Sequence, residues 1–268
     1  MVKMKKVVIL MPVHCAPKVA MMTLGTWLET CDGSYRAEVI ICAHDNYSHY
    51  HPGLDTLKEL PVTVISVPEI NWYFPDLIQS IMRYSRMHAV SLTALMEKAQ
   101  NIQFDHLAIL DHDLVFKTDF VKAAADTGSD LVGGYMCDRK DSAAAKTAAG
   151  IFQFAPKFSI WHLVMSQLFY QKVMEDRGLI FPAIEGGNIF DTFTKVIAKN
   201  RDEWHLPVTE WSCAEMDAIV QHRWSMSFNF GQKVCGVPSY WDRVSKYEAE
   251  FDQRFPNGIK HLFERVGL

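Results

Sequence analysis

The sequence predicts an α/β fold, a mostly parallel sheet with helices on both faces, and three observations carry that prediction. Short, β-branched apolar runs recur through the first half: Lys6–Val13 (KVVILMPV), Glu38–Cys42 (EVIIC), Val62–Val67 and Leu107–Leu110. Such runs fill strands buried on both faces, as parallel strands are. Helical stretches separate them, and polar residues stand just past their carboxyl ends. That alternation builds a Rossmann-like sheet.

In chain order, Lys6–Val13 reads as a central strand, with Pro12 and His14 at its carboxyl end, where a ligand can lie. Ala20–Thr30 is a helix closed by Cys31-Asp32-Gly33, and the second strand ends in Ala43-His44-Asp45-Asn46. Helix Gly53–Glu59 leads to the third strand. Ile81–Ala99 carries Ile81, Tyr84, Leu92, Leu95 and Ala99 at helical spacing, a stripe that faces a core. His88 falls in that stripe, which suits a core histidine; Arg83 and Arg86 lie off it. After the Leu107 strand come a short helix Asp119–Ala125 with Thr118 as its cap, and a strand Asp130–Met136. Ile160–Arg177 is a helix, and Phe181–Phe190 (FPAIEGGNIF) is strand-like around Glu185-Gly186-Gly187. Glu210–Trp224 opens a helix capped by Ser212, with Glu215 three residues later as in a capping box. Asp217 and Gln221 fall on one face of it. Tyr247, Phe251 and Phe255, at four-residue spacing, make a final helix that packs back on the domain.

The chain has 268 residues and a formal charge of −4, which suits one domain, 1–268, and gives no strong nucleic-acid signal. Six scattered cysteines, with no C-x-x-C or zinc spacing, fit reduced thiols in a cytoplasmic protein. The lysines and short apolar run of residues 1–13 fit a buried first strand better than a signal peptide. No stretch approaches the ~18 apolar residues of a membrane span.

The chemistry concentrates at Asp111-His112-Asp113, the end of an apolar strand. Carboxylates there need water, a cation or a basic partner, because desolvating an ion costs several kcal/mol, roughly. In open α/β sheets, ligands bind outside the carboxyl ends of strands. One reading is therefore a divalent ion, Mn2+ or Mg2+, on Asp111 and Asp113, bridging to substrate phosphates. The competing reading is a polar turn whose carboxylates cap backbone amides. Arg86 reaches for a diphosphate or lies on a solvated helix face. Asn71–Pro75 (NWYFP) is a packed flap or a stacking site for a base or sugar. Residues 137–150, with Arg139, Lys140 and Lys146, fold over a phosphate or form a solvated insert.

Taken together, KVVILMPVH, EVIICAHDN, HLAILDHDLVF, IEGGNIF and CAEMDAIVQHRW resemble, in order and spacing, the GT-A glycosyltransferases. The resemblance spans roughly residues 5–225. It implies a nucleoside-diphosphate sugar donor, UDP-sugar favoured, and a glycan or other hydroxyl acceptor. It implies a donor half over 1–136, an acceptor half over 137–240 and a helical tail over 241–268. Pro12, His14, Asp45, Arg86, Asp111 and His112 would bind the donor. Asp111 and Asp113 would hold the metal, joined in a retaining enzyme by His222 or His205. Glu185, Gly186 and Gly187 would meet the acceptor. In an inverting enzyme Asp217 would be the base, with Glu215 and Glu185 as alternatives. The chain departs from the family in ending its second strand His-Asp-Asn and in spacing Glu215 and Asp217 by Met216.

LAILDHDLV also matches the D-x-D-x-[TV] motif of haloacid-dehalogenase-like phosphatases, with Asp111 as nucleophile and Asp113 as acid/base. That motif normally opens its domain, whereas here several α/β elements precede it. A non-catalytic sugar-nucleotide-binding protein is the third reading.

Overall fold

In the computed structural model, the described residues are 4–13, 17–44, 54–67, 91, 94–95, 97–99, 101–129, 131–134, 154–155, 208–211, 213–222 and 240–268. Strand β1 is Lys5–Val13, followed by helix α1, Pro17–Thr30, and strand β2, Tyr35–His44. A 3-10 helix at Leu54–Glu59 leads to β3, Thr63–Val67. Strands β4, His106–Ile109, and β5, Leu114–Phe116, flank the Asp-His-Asp turn, and helix α2, Phe120–Asp126, follows. Then come β6, Leu131–Gly134; β7, Phe154–Ala155; β8, Val208–Trp211; helix α3, Cys213–Ile219; and β9, Val220–His222. Helix α4, Tyr240–Arg254, and a 3-10 helix at Lys260–Val266 close the chain.

Among the described residues the main sheet runs β3-β2-β1-β4-β7-β6-β8, and β5 pairs with β9 in a second, two-stranded sheet. The first four strands of the main sheet are mutually parallel, whereas β7 is antiparallel to both of its neighbours. The fold class is α/β. The first four predicted strands are present, and the first two run longer than their apolar runs because backbone pairing carries them outward, from Lys5↔Tyr35 to Val13↔Ala43. The strand expected over 130–136 is described at Leu131–Gly134, and 181–190 lie outside the described residues.

Alternate residues divide the buried strands between two faces. Val7, Ile9, Met11 and Val13 join one core cluster with Val39, Ile41 and Ala108. Val8, Leu10, Ile40, Leu107 and Ile109 point the other way and are equally shut from water. Leu95 and Ala99, helical residues of the predicted stripe, are also fully buried. Both sides of the parallel sheet are therefore covered.

Helix α1 belongs to the first cluster, together with α4 and the final 3-10 helix. Gly25 is where α1 and the chain end meet. A Cβ there would stand 2.7 Å from Phe255 Cζ and 2.8 Å from Ile259 Cγ2, so only glycine permits this approach. The predicted final helix does pack back through Tyr247, Phe251 and Phe255.

Three local expectations are corrected. The cap of α2 is Asp119 and not Thr118: its carboxylate accepts the amides of Val121 and Lys122 at 3.0 and 3.2 Å. The segment at 54–59 is 3-10 helical. The helix expected over 210–224 ends at Ile219, because 220–222 pair antiparallel with β5, Phe116↔Val220 through Leu114↔His222. Gln221 is therefore on a strand and shares no helix face with Asp217. No described helix is long and apolar enough to cross a membrane.

Candidate active site

The chain lays down β1, then β2 and β3 on one side of it, and returns to place β4 on the other side. The order 3-2-1-4 reverses between β1 and β4, and at such a switch point a crevice opens at the carboxyl ends of the strands. Leu10 pairs with Ile109, and the Leu110 amide donates to the Leu10 carbonyl at 2.9 Å, so the ladder runs one residue past β4. The next residues are Asp111, His112 and Asp113. The D-x-D thus stands at the switch point itself.

All three side chains are withdrawn from water, at 8%, 4% and 4% relative exposure. The His112 ring is tied to β1, with Nδ1 3.2 Å from the Pro12 carbonyl oxygen. A carbonyl only accepts, so Nδ1 carries the hydrogen. Pro12, placed by sequence at the binding end of the first strand, thus helps hold the D-x-D turn.

The other anchor comes from α1. Thr23 Oγ1 lies 2.6 Å from the His112 carbonyl oxygen and accepts the Leu114 amide at 2.9 Å. One turn on, Thr26 Oγ1 accepts the Phe116 amide at 3.1 Å and donates to the Met22 carbonyl at 2.9 Å. Both hydroxyls are fully buried. Sequence reasoning passed over them, although two threonines three residues apart on an apolar helix were a usable signal. A buried hydroxyl must find partners, and a helix offers it few of its own.

The β5–β9 pairing sets the backbone of His222 opposite Leu114, one residue from Asp113. It carries Asp217 the other way. The Lys117 and Thr118 amides donate to the Ile219 carbonyl at 2.8 and 3.3 Å, and Lys117 Nζ donates to the Asp217 carbonyl. Asp217 therefore sits by Lys117, past the end of β5 that points away from Asp113. Asp217 and Glu215 are both exposed. His14, Asp45, Arg86, Glu185, Gly186, Gly187 and His205 lie outside the described residues, as do Asn71–Pro75 and residues 137–150. Among the described residues no three His, Cys, Asp or Glu side chains converge as a metal site.

The buried Asp-His-Asp thus stands at the switch point of an α/β sheet. No protein-family model matches the chain, and no curated protein matches it. Among solved structures it is similar to residues 1–349 of S. aureus TarS in complex with UDP, at 11% identity and a TM-score of 0.47, over 93% of this chain and 71% of that one. Against a second structure of S. aureus TarS 1–349 the values are 12% and 0.45, over 94% and 72%.

Proposed function

We propose that this chain is a metal-dependent glycosyltransferase that moves a sugar from a nucleoside-diphosphate sugar, UDP-sugar favoured, to a hydroxyl acceptor. The observation that supports it is the buried Asp111-His112-Asp113 turn at the switch point between β1 and β4. The donor set fits a hard divalent cation, Mn2+ or Mg2+, since carboxylate oxygens are its preferred ligands. Mg2+-type sites commonly take one or two carboxylates and complete their shell with substrate phosphates and water. Asp111 and Asp113 would supply the two carboxylates. When bound, the ion would neutralise charge developing on the diphosphate leaving group.

The chain's own residues do the positioning. β1 and β4 present the turn, and His112 locks it to Pro12. His222, whose backbone stands opposite Leu114, is the nearest of the remaining predicted metal ligands with a described position. An inverting enzyme would take its base from Asp217, with Glu215 as the alternative; both are exposed on α3, whose end meets Lys117 and Thr118. The phosphatase reading is disfavoured by chain order, since three strands precede β4.

The test is thermal unfolding with UDP, with and without Mn2+. UDP is expected to raise the melting temperature, Mn2+ to enlarge that rise, and Asp113→Asn to abolish the enlargement. Metal-independent stabilisation, or an unchanged response in the variant, would overturn the assignment. Phosphate release from a monoester would favour the phosphatase; binding without sugar transfer or donor hydrolysis would leave a binding protein.

A further inference from the structure

We propose that Thr23 is a positioning residue for Asp113: one hydroxyl oxygen in the middle of α1 bonds the backbone on both sides of that aspartate and thereby sets where it stands. This rests on the metal reading above and deepens it.

The hydroxyl has one hydrogen and two lone pairs. It accepts the amide of Leu114, the residue after Asp113, at 2.9 Å. Of the carbonyls within reach, that of His112, the residue before Asp113, is nearest at 2.6 Å; Leu114's is at 2.9 Å and Val19's at 3.5 Å. The hydrogen goes best to His112. Asp113 is thus bracketed by one atom from a segment about ninety residues earlier in the chain.

That atom is itself held firmly. Met22 and Leu24 on either side of Thr23 are fully buried, and α1 is seated from behind by Phe255 and Ile259 against Gly25. The turn is therefore referenced to a packed helix. Metal ligands must be held to within a fraction of an ångström, and sites referenced to helices meet that demand better than sites on loops alone. Outer contacts of this kind typically govern metal affinity by roughly 10–100-fold.

Thr26 is the internal control, because it makes the same kind of bond to the same segment but at Phe116, past Asp113. Mn2+ alone would be titrated into the full chain, with bound ion read from loss of the free-ion paramagnetic resonance signal. Melting temperature would be recorded alongside. Thr23→Val, which keeps shape and loses both bonds, is expected to weaken Mn2+ binding about tenfold or more. Thr23→Ser, which keeps the oxygen, should stay within roughly threefold of wild type, and Thr26→Val within about twofold despite a comparable melting loss. If Thr23→Val does not fold, Thr23→Cys carries the same prediction with a smaller loss, since a thiol bonds weakly.

Unaltered Mn2+ binding in Thr23→Val, or equal weakening in Thr26→Val, would overturn the positioning role alone, provided Asp113→Asn still abolishes binding. Absent Mn2+ binding by the wild-type chain, or wild-type binding by Asp113→Asn, would overturn the metal reading and this inference with it.

Discussion

Acidic side chains stand at both ends of the parallel sheet, half-buried at one and buried at the other, and the two ends hold them in different ways. At the amino end, beside the first residue of β2, Asp119 spends its own carboxylate on the fold. Its Oδ1 accepts two amides of α2 and the Tyr35 hydroxyl at 3.0 Å, and Tyr35 in turn accepts from Trp27 Nε1 at 3.1 Å. Burial raises the Asp119 pKa against those bonds. It also pushes the neighbouring Cys31 thiol up to about 12, which makes it a poor nucleophile. At the carboxyl end, bonds to its backbone and through the His112 ring fix the Asp111–Asp113 turn to α1 and β1. The first acid caps a helix with a single oxygen, whereas the turn that carries the other two is held by groups of α1 and β1.

The sharpest way to break that contrast is to remove one acid from each end. Asp113→Asn should lower sugar transfer by at least about a hundredfold while leaving the denaturation midpoint near wild type. Asp119→Ala should do the reverse. Loss of the cap and of the Tyr35 partner should cost about 2 kcal/mol in urea melts, with transfer per folded molecule preserved. If Asp119→Ala silences transfer at unchanged stability, the two ends do not divide the work as described.

A smaller effect tests whether α1 needs its seat. Gly25→Ala gains helix propensity of up to about 1 kcal/mol but forces its methyl into Phe255 and Ile259. A net loss of roughly 1 kcal/mol is expected from equilibrium unfolding. A stabilised variant would show that the chain end yields easily and does not brace the helix.

The smallest effect belongs to pH. His106, at the start of β4, is pushed down to about 4, mainly by burial and further by Lys5. A histidine depressed in the folded state adds stability above its unfolded value, near 6.5, and that contribution is lost as pH falls towards 4. Melts between pH 6.5 and 4 should therefore show an acid slope that His106→Gln flattens. The Mn2+ affinity of the opposite end should not follow His106 titration. An identical slope in the variant would place the acid sensitivity elsewhere.

Much of this molecule was legible without coordinates. KVVILMPV, EVIIC and LAIL each exceed the apolar content that a half-wet strand tolerates, so double burial and a parallel sheet followed from composition alone. Asp111-His112-Asp113 was legible for the same reason, as charge set against the end of a buried strand. Two things were not. Residues 220–222 read as helix because the Ser212 cap and Glu215 open one just before them, yet their backbone pairs with β5, about a hundred positions away. Thr23 read as one more residue of a helix, and its partners are also far off in the chain. Burial pattern is a property of neighbouring residues and is written locally. A hydrogen-bond partner brought in by the fold leaves no local trace, so only the tertiary structure decided which helix would hold the aspartates and which strand would lie beside them.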